Sequence, residues 1–166
     1  MSGPSLLRFA AVFDTDPKLA RSRMVQRGAL ETLTRDQEIP VVVDHDMSRQ
    51  VGTVRELFVA PDYQGGDWYW ASVELTDPPG WLKRDGAVSW SHVPLREQDV
   101  NGTTRLLRGI IKEISILSPT VQAAEPRARV EWIGEPVTKR SAGEVIQHPP
   151  GALIRRPGIG QVLGVR

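Results

Sequence analysis

A long strand signal lies at residues 104–118, which read TRLLRGIIKEISILS. Ile114 and Ile116 alternate with polar residues there, and this period of two is typical of a strand with one buried face. Glu113 and Ser115 then share the opposite face. Glu113 is an ordinary surface carboxylate if that face is open to water. If the face is covered, Glu113 needs a partner, because an unpaired buried charge is costly.

Shorter strand signals precede this stretch along the chain. They are runs rich in apolar, β-branched and aromatic residues, at residues 6–13, 41–43, 51–59, 68–75 and 86–93. Helical spacing at Gly28–Thr34 and a proline start at Pro79–Lys83 predict short helices. The order is not a regular β–α–β alternation, which disfavours a parallel doubly wound sheet. We therefore predict a mainly β fold of about six or seven strands with one or two short helices, arranged as a mainly antiparallel barrel or sandwich.

The composition excludes several classes of protein. The chain has 166 residues and no cysteine, which rules out a disulfide framework, a thiolate zinc site and a cysteine nucleophile. It has 21 Lys and Arg and 20 Asp and Glu, which gives a net charge of +1. A strongly basic nucleic-acid binder carries a larger excess of positive residues. No apolar run approaches the roughly 20 residues of a membrane helix, and no basic leader precedes the first one. We expect a soluble protein made in a reducing cytoplasm.

The near-neutral total is an average over two unlike parts. Residues 134–166 are rich in glycine and proline and carry a net charge of +3, which leaves the rest of the chain at −2. We therefore predict a domain over residues 1–133 and a basic tail over residues 134–166. The tail is either a flexible terminus or a docking segment for an acidic partner surface.

Two short stretches carry residues suited to nucleophilic catalysis. His45 stands in the triplet Asp44-His45-Asp46, directly after a β-branched strand, and Ser89 lies within the strand at 86–93. A serine becomes a nucleophile when an imidazole removes its proton and a third group orients that imidazole. Plainer interpretations stay open, namely a polar turn at the triplet and serines that only support the sheet. A metal site is disfavoured, because alternation directs the two aspartates away from His45.

The order of these residues and their flanking sequences resembles a known family. Four stretches carry the likeness: residues 27–33 (RGALETL), 40–46 (PVVVDHD) followed by Val51-Gly52, 87–94 (AVSWSHVP) and 111–119 (IKEISILSP). Together they resemble the phage prohead (capsid maturation) protease family, whose fold is similar to that of the herpesvirus assembly proteases. The likeness spans about residues 5–133.

This resemblance implies a fold, an activity and a set of residues. The fold would be an antiparallel β-barrel similar to a herpesvirus assembly protease. His45 matches the general base, Ser89 the nucleophile and Glu113 the third member that orients His45, and no cofactor or metal is implied. The substrates would be scaffold protein, scaffolding segments of the major capsid protein and the protease itself. The place of action would be the assembling procapsid in the host bacterial cytoplasm, away from membranes, and a homo-oligomer is left open.

One stretch departs from the family pattern and keeps alternatives open. Trp90-Ser91-His92 stands where the family tends to have a small apolar residue, a glycine and an aromatic residue. Ser91 is thus a rival nucleophile, and His92 a rival base or third member. The departure also allows a non-catalytic phage head or scaffold-binding protein that retains the protease fold. Nucleic-acid binding, which would use the arginines of the tail and the aromatic run at residues 68–70, is disfavoured because aromatic residues in strands more often pack in the sheet.

Overall fold

Eight β-strands make up the regular secondary structure of the part of the chain that is described. The computed structural model describes residues 4–12, 23–30 and 38–134. The predicted basic tail therefore lies outside the described residues, apart from Gly134. The strands are β1 (Ser5–Ala11), β2 (Arg23–Val25), β3 (Pro40–Val43), β4 (Asp46–Pro61), β5 (Asp67–Leu75), β6 (Val88–Val100), β7 (Thr103–Ile116) and β8 (Arg129–Trp132).

These strands form one mixed sheet. Its order is β2-β7-β3-β4-β5-β1-β8, and β6 pairs with β7 as well. Strands β2 and β3 run parallel to β7, and the other pairings are antiparallel. The prediction of a mainly β fold is confirmed, and the sheet of the described part is mixed, with five antiparallel and two parallel strand pairings where the resemblance implied antiparallel pairing throughout. A parallel pair needs a long connection, and the excursion through β4, β5 and β6 supplies one between β3 and β7.

The prediction of short helices is wrong for the described residues, which contain none. After Pro79, the Leu82 N–H donates to the Pro79 carbonyl at 3.0 Å, and the chain makes a single turn there. One turn fixes several dihedral angles for one hydrogen bond and does not nucleate a helix by itself. Near Gly28, Leu30 instead bridges β7 at Gly109 in an extended conformation, and residues 31–34 lie outside the described part. No helix of the described part is long and apolar enough to cross a membrane.

The central strands supply much of the hydrophobic core. Val41 and Val43 of β3 and Ile114 and Ile116 of β7 belong to it. Val42 and Ser115 on the opposite face are also fully buried, so that face is covered as well. Other fully buried side chains come from β1 and β5, among them Leu7, Phe9, Trp68 and Val73. β3 and β7 are therefore rigid elements, and the residues at their ends are held in fixed positions.

A buried arginine joins β1 to β8 and to the loop between β4 and β5. Arg8 of β1 is 3% exposed, and its guanidinium lies 2.9 Å from Asp62 Oδ2 and 3.3 Å from Glu131 Oε1. The same group lies over the ring of Trp68, at 4.6 Å from the centroid. Burial lowers the pKa of Arg8 although both carboxylates oppose this. The cluster ties β1 to β8 and to the loop between β4 and β5.

Candidate active site

His45 occupies a tight turn between β3 and β4. Val43 pairs with Asp46, so Asp44 and His45 are the only two residues of the turn. Both have left-handed backbones, with φ of 51° and 60°. This is the pattern of a type I′ hairpin, which favours asparagine and glycine, and neither residue here is glycine. The turn is therefore in a costly conformation that its surroundings must stabilise.

Contacts with the end of β7 provide part of that stabilisation. The Asp44 N–H donates to the Ile116 carbonyl at 3.1 Å. The Asp44 side chain in turn accepts a hydrogen bond from the Ser118 N–H at 2.7 Å. Because β3 runs parallel to β7, with Val43 opposite Ile116, the turn emerges directly beside these acceptors and donors. The position of His45 thus depends on β7 as well as on its own hairpin.

The register of β6 against β7 places the serine and the glutamate beside this turn. Ser89 lies opposite Ser115, and Ser91 lies opposite Glu113. Side chains of directly opposed residues point to the same face of the sheet, so these four polar side chains share one face. The other face carries Trp90, whose ring packs edge-on against a core phenylalanine at 5.6 Å.

The three side chains assigned from the resemblance meet in one hydrogen-bonded chain. His45 Nδ1 lies 2.6 Å from Glu113 Oε1, and His45 Nε2 lies 3.0 Å from Ser89 Oγ. The two ring nitrogens thus face different partners, a carboxylate on one side and a hydroxyl on the other. This order allows the carboxylate to fix the tautomer of the ring while the other nitrogen takes the serine proton. Both separations lie within hydrogen-bond reach.

The environments of these three groups differ. The Glu113 side chain is 3% exposed, whereas that of His45 is 43% exposed. Glu113 Oε2 is buried, and it has no hydrogen-bond partner among the described residues. A buried carboxylate with one unpartnered oxygen is unfavourable in a protein interior. Ser89, in contrast, is half-buried and is within reach of an approaching molecule.

The rival residues occupy other places. Ser91 lies next to Glu113 on the neighbouring strand, but Ser89 is the serine beside the imidazole. The register of β6 shifts between Ser91 and His92. The ring of His92 packs against Trp90, with centroids 4.7 Å apart. The structure therefore brings together His45, Ser89 and Glu113, the set that the resemblance implied.

The aspartates beside His45 are engaged in local hydrogen bonds. Asp46 Oδ1 accepts from the Ser48 hydroxyl at 2.6 Å and from the Ser48 N–H at 2.9 Å. These hydrogen bonds hold the pKa of Asp46 below its usual value. Among residues 4–12, 23–30 and 38–134, no group of three or more histidine, cysteine, aspartate or glutamate residues is placed to hold a metal ion.

Sequence reasoning gave no role to one residue at this site, Ser115. It is fully buried, and its Oγ accepts a hydrogen bond from the His45 N–H at 2.8 Å. A serine between two buried isoleucines, on the same face as Glu113, was the available signal in the sequence. That signal could not show which group the hydroxyl contacts, because the contact crosses 70 residues of chain.

Comparison with known proteins adds no relative of this chain. No family model matches it, and no curated protein matches it. The resemblance to prohead proteases therefore stays a prediction from the quoted stretches. The arrangement of the three side chains is an independent observation.

Proposed function

We propose that this chain is a serine endopeptidase that acts in phage procapsid maturation. The observation that carries the activity is the hydrogen-bonded order Glu113–His45–Ser89, at 2.6 Å and 3.0 Å. Carboxylate, imidazole and hydroxyl in this order form the constellation that activates a serine for acyl transfer on several unrelated folds. The biological setting rests on the resemblance alone.

The reaction would proceed in two halves. Ser89 Oγ attacks the scissile carbonyl carbon while its proton passes to His45 Nε2, and Glu113 stabilises the imidazolium through Nδ1. The tetrahedral intermediate collapses as the C–N bond breaks, and His45 returns the proton to the leaving amine. Water then attacks the resulting ester, His45 takes one water proton, and Ser89 leaves as the restored hydroxyl. No cofactor or metal enters this sequence.

The proposed substrates are scaffold protein and scaffolding segments of the major capsid protein, together with the protease itself. The test is co-expression of this chain with the capsid and scaffold proteins of the same phage. We expect processed capsid protein with the parent chain and with the control Ser91→Ala, but not with Ser89→Ala. Unchanged processing by Ser89→Ala would refute Ser89 as the nucleophile. Absence of processing by the parent chain would favour the alternative, a non-catalytic head or scaffold-binding protein.

The proposal extends to the fold, since a herpesvirus-type assembly protease would require the sheet to close as a barrel. Contacts just before β6 support closure, because Ala87 bridges Arg129 of β8 and the Val130 N–H donates to the Gly86 carbonyl at 2.9 Å. This chain has no cysteine. The double substitution Ala87→Cys and Arg129→Cys should therefore cross-link on oxidation without loss of activity. Failure to cross-link would contradict a closed barrel.

A further inference from the structure

The backbone of His45 is held by a buried hydroxyl group on β7. Ser115 is fully buried, and its Oγ accepts the His45 N–H at 2.8 Å. Its neighbours Ile114 and Ile116 are apolar and equally buried. An alanine or valine at position 115 would fill the space without burying a hydroxyl, but it would leave the His45 N–H without this acceptor.

Ser115 also lies where the elements of the site meet. It is the partner of Val42 on β3, the strand that leads into the His45 turn. It is at the same time the partner of Ser89 on β6. Glu113 stands two residues before it on the same face of β7. Ser115 therefore lies on the strand that carries Glu113, between the strand that leads into the His45 turn and the strand that carries Ser89.

The conformation of the turn gives this hydrogen bond a specific task. His45 has a φ of 60°, which is unfavourable for a residue with a Cβ atom. A relaxed backbone at this position would rotate the direction of the side chain and separate Nε2 from Ser89 Oγ. We propose that Ser115 is a positioning residue of the proposed protease, which fixes the His45 backbone so that the ring lies between Glu113 and Ser89. This inference rests on the proposed function.

The first measurement follows the hydrogen bond itself and requires no catalysis. In the full chain, amide exchange at His45 is compared between the parent, Ser115→Ala and Ser115→Thr. We expect protection of the His45 amide to fall about fivefold to tenfold in Ser115→Ala. Ser115→Thr retains Oγ and should keep most of that protection. The matched control is Ser72→Ala, which removes another buried serine hydroxyl, on β5, and should leave His45 unaffected.

The second measurement follows the reactivity of the serine. A fluorophosphonate reacts with an activated serine hydroxyl and displaces fluoride, and intact mass reports the rate. We expect labelling of the parent chain, none at position 89 in Ser89→Ala, and a rate reduced about tenfold to a hundredfold in Ser115→Ala, because small displacements of a catalytic group are costly. Ser115→Thr should recover most of the rate, and Ser72→Ala should match the parent.

The outcomes separate the two proposals. In one outcome, the parent chain is labelled at Ser89, and Ser115→Ala shows unchanged labelling and unchanged His45 protection. This outcome overturns the role of Ser115 and leaves the proposed protease intact. A folded parent chain that is not labelled overturns the protease and, with it, the positioning role. If Ser115→Ala does not fold, the comparison of Ser115→Thr with the parent decides. If Ser115→Thr equals the parent in His45 amide protection and in labelling rate, the role of Ser115 is supported. If this variant loses the protection and the rate although it retains the hydroxyl, the role is overturned.

Discussion

Replacing Glu113 by glutamine keeps the shape of the side chain and removes its charge. We expect Glu113→Gln to be less active and more stable than the parent chain. The carboxylate is 3% exposed, and one oxygen lies 2.6 Å from His45 Nδ1. The other oxygen is buried without a hydrogen-bond partner among the described residues. Loss of the charged contact with His45 therefore predicts lower activity, and removal of the buried charge predicts higher stability.

The expected gain in stability follows from these contacts. A hydrogen bond to a charged group contributes about 1.5–3 kcal/mol and one between neutral groups about 0.5–1.5 kcal/mol, so the bond to His45 weakens by about 1 kcal/mol. Burial of a carboxylate costs several kcal/mol even after the protein relaxes, and a neutral amide avoids most of that cost. The free energy of unfolding of Glu113→Gln should therefore rise by about 1 kcal/mol or more.

The expected loss of activity arises in the transition state, where His45 carries a positive charge. A carboxylate stabilises that charge and an amide does not, and the equivalent change in a serine protease triad lowers kcat by on the order of 10⁴-fold. Because the His45 side chain is 43% exposed, water screens part of the interaction, and the loss should be smaller than that value. Fluorophosphonate labelling and urea unfolding of the same preparation measure both effects.

The matched control is Glu74→Gln on β5. Glu74 is also buried, but its carboxylate is paired with Arg55 Nη2 at 2.5 Å. Removal of its charge should therefore give no gain in stability and should not change labelling. If Glu113→Gln is less stable than the parent and reacts at the parent rate, Glu113 supports the fold and does not orient His45.

Further substitutions test the description of the fold. Gly52→Ala should lower the free energy of unfolding by about 3 kcal/mol in urea denaturation, because the added Cβ would lie 2.3 Å from a backbone oxygen of β5. The control Gly80→Ala should be neutral, because a Cβ added there has no atom within 4 Å apart from its own chain neighbours. Burial raises the pKa of Tyr69 above 10, so the unfolded chain loses this proton first. The free energy of unfolding should be unaffected by this group below pH 10 and should fall as the pH rises through the raised pKa of Tyr69. Tyr69→Phe should reduce this dependence on pH, measured by unfolding at several pH values. Arg8→Met should cost about 3 kcal/mol in urea unfolding, because Asp62 loses its charged partner, whereas Glu131 keeps Arg129 at 2.8 Å; a loss smaller than about 1 kcal/mol would contradict the paired cluster.

The strands that contain a run of apolar, β-branched or aromatic residues could be predicted from the sequence, and β2 and β8 could not. The predicted runs at 6–13, 41–43, 51–59, 68–75 and 86–93 each overlap a strand of the structure, as does 104–118. β2 and β8 have three and four residues, too few for a period to be visible, and their pairing with distant strands makes them extended. β6 also continues to Val100 through polar residues, because β7 pairs with it along that length.

The chemistry of the site could be predicted, but its geometry could not. Residue types and their resemblance to a family nominated His45, Ser89 and Glu113. The contact between His45 and Glu113 spans 68 residues and depends on the parallel pairing of β3 with β7, which no local pattern encodes. The left-handed turn was equally hidden, because Asp-His is an unusual pair for a type I′ hairpin. The hydroxyl that supports this turn is visible only once that pairing is known.

Two unfavourable features lie within one hydrogen-bonded chain, and the core requires neither of them. An asparagine–glycine turn would join β3 to β4 with less backbone strain than Asp44-His45. A neutral residue at position 113 would avoid an unpartnered buried carboxylate oxygen. A protein that used this fold only as a binding surface would gain stability by losing both features. Their coincidence at one imidazole is what a site selected for proton transfer would retain at the expense of stability. This is the physical reason to favour the protease over the non-catalytic alternative.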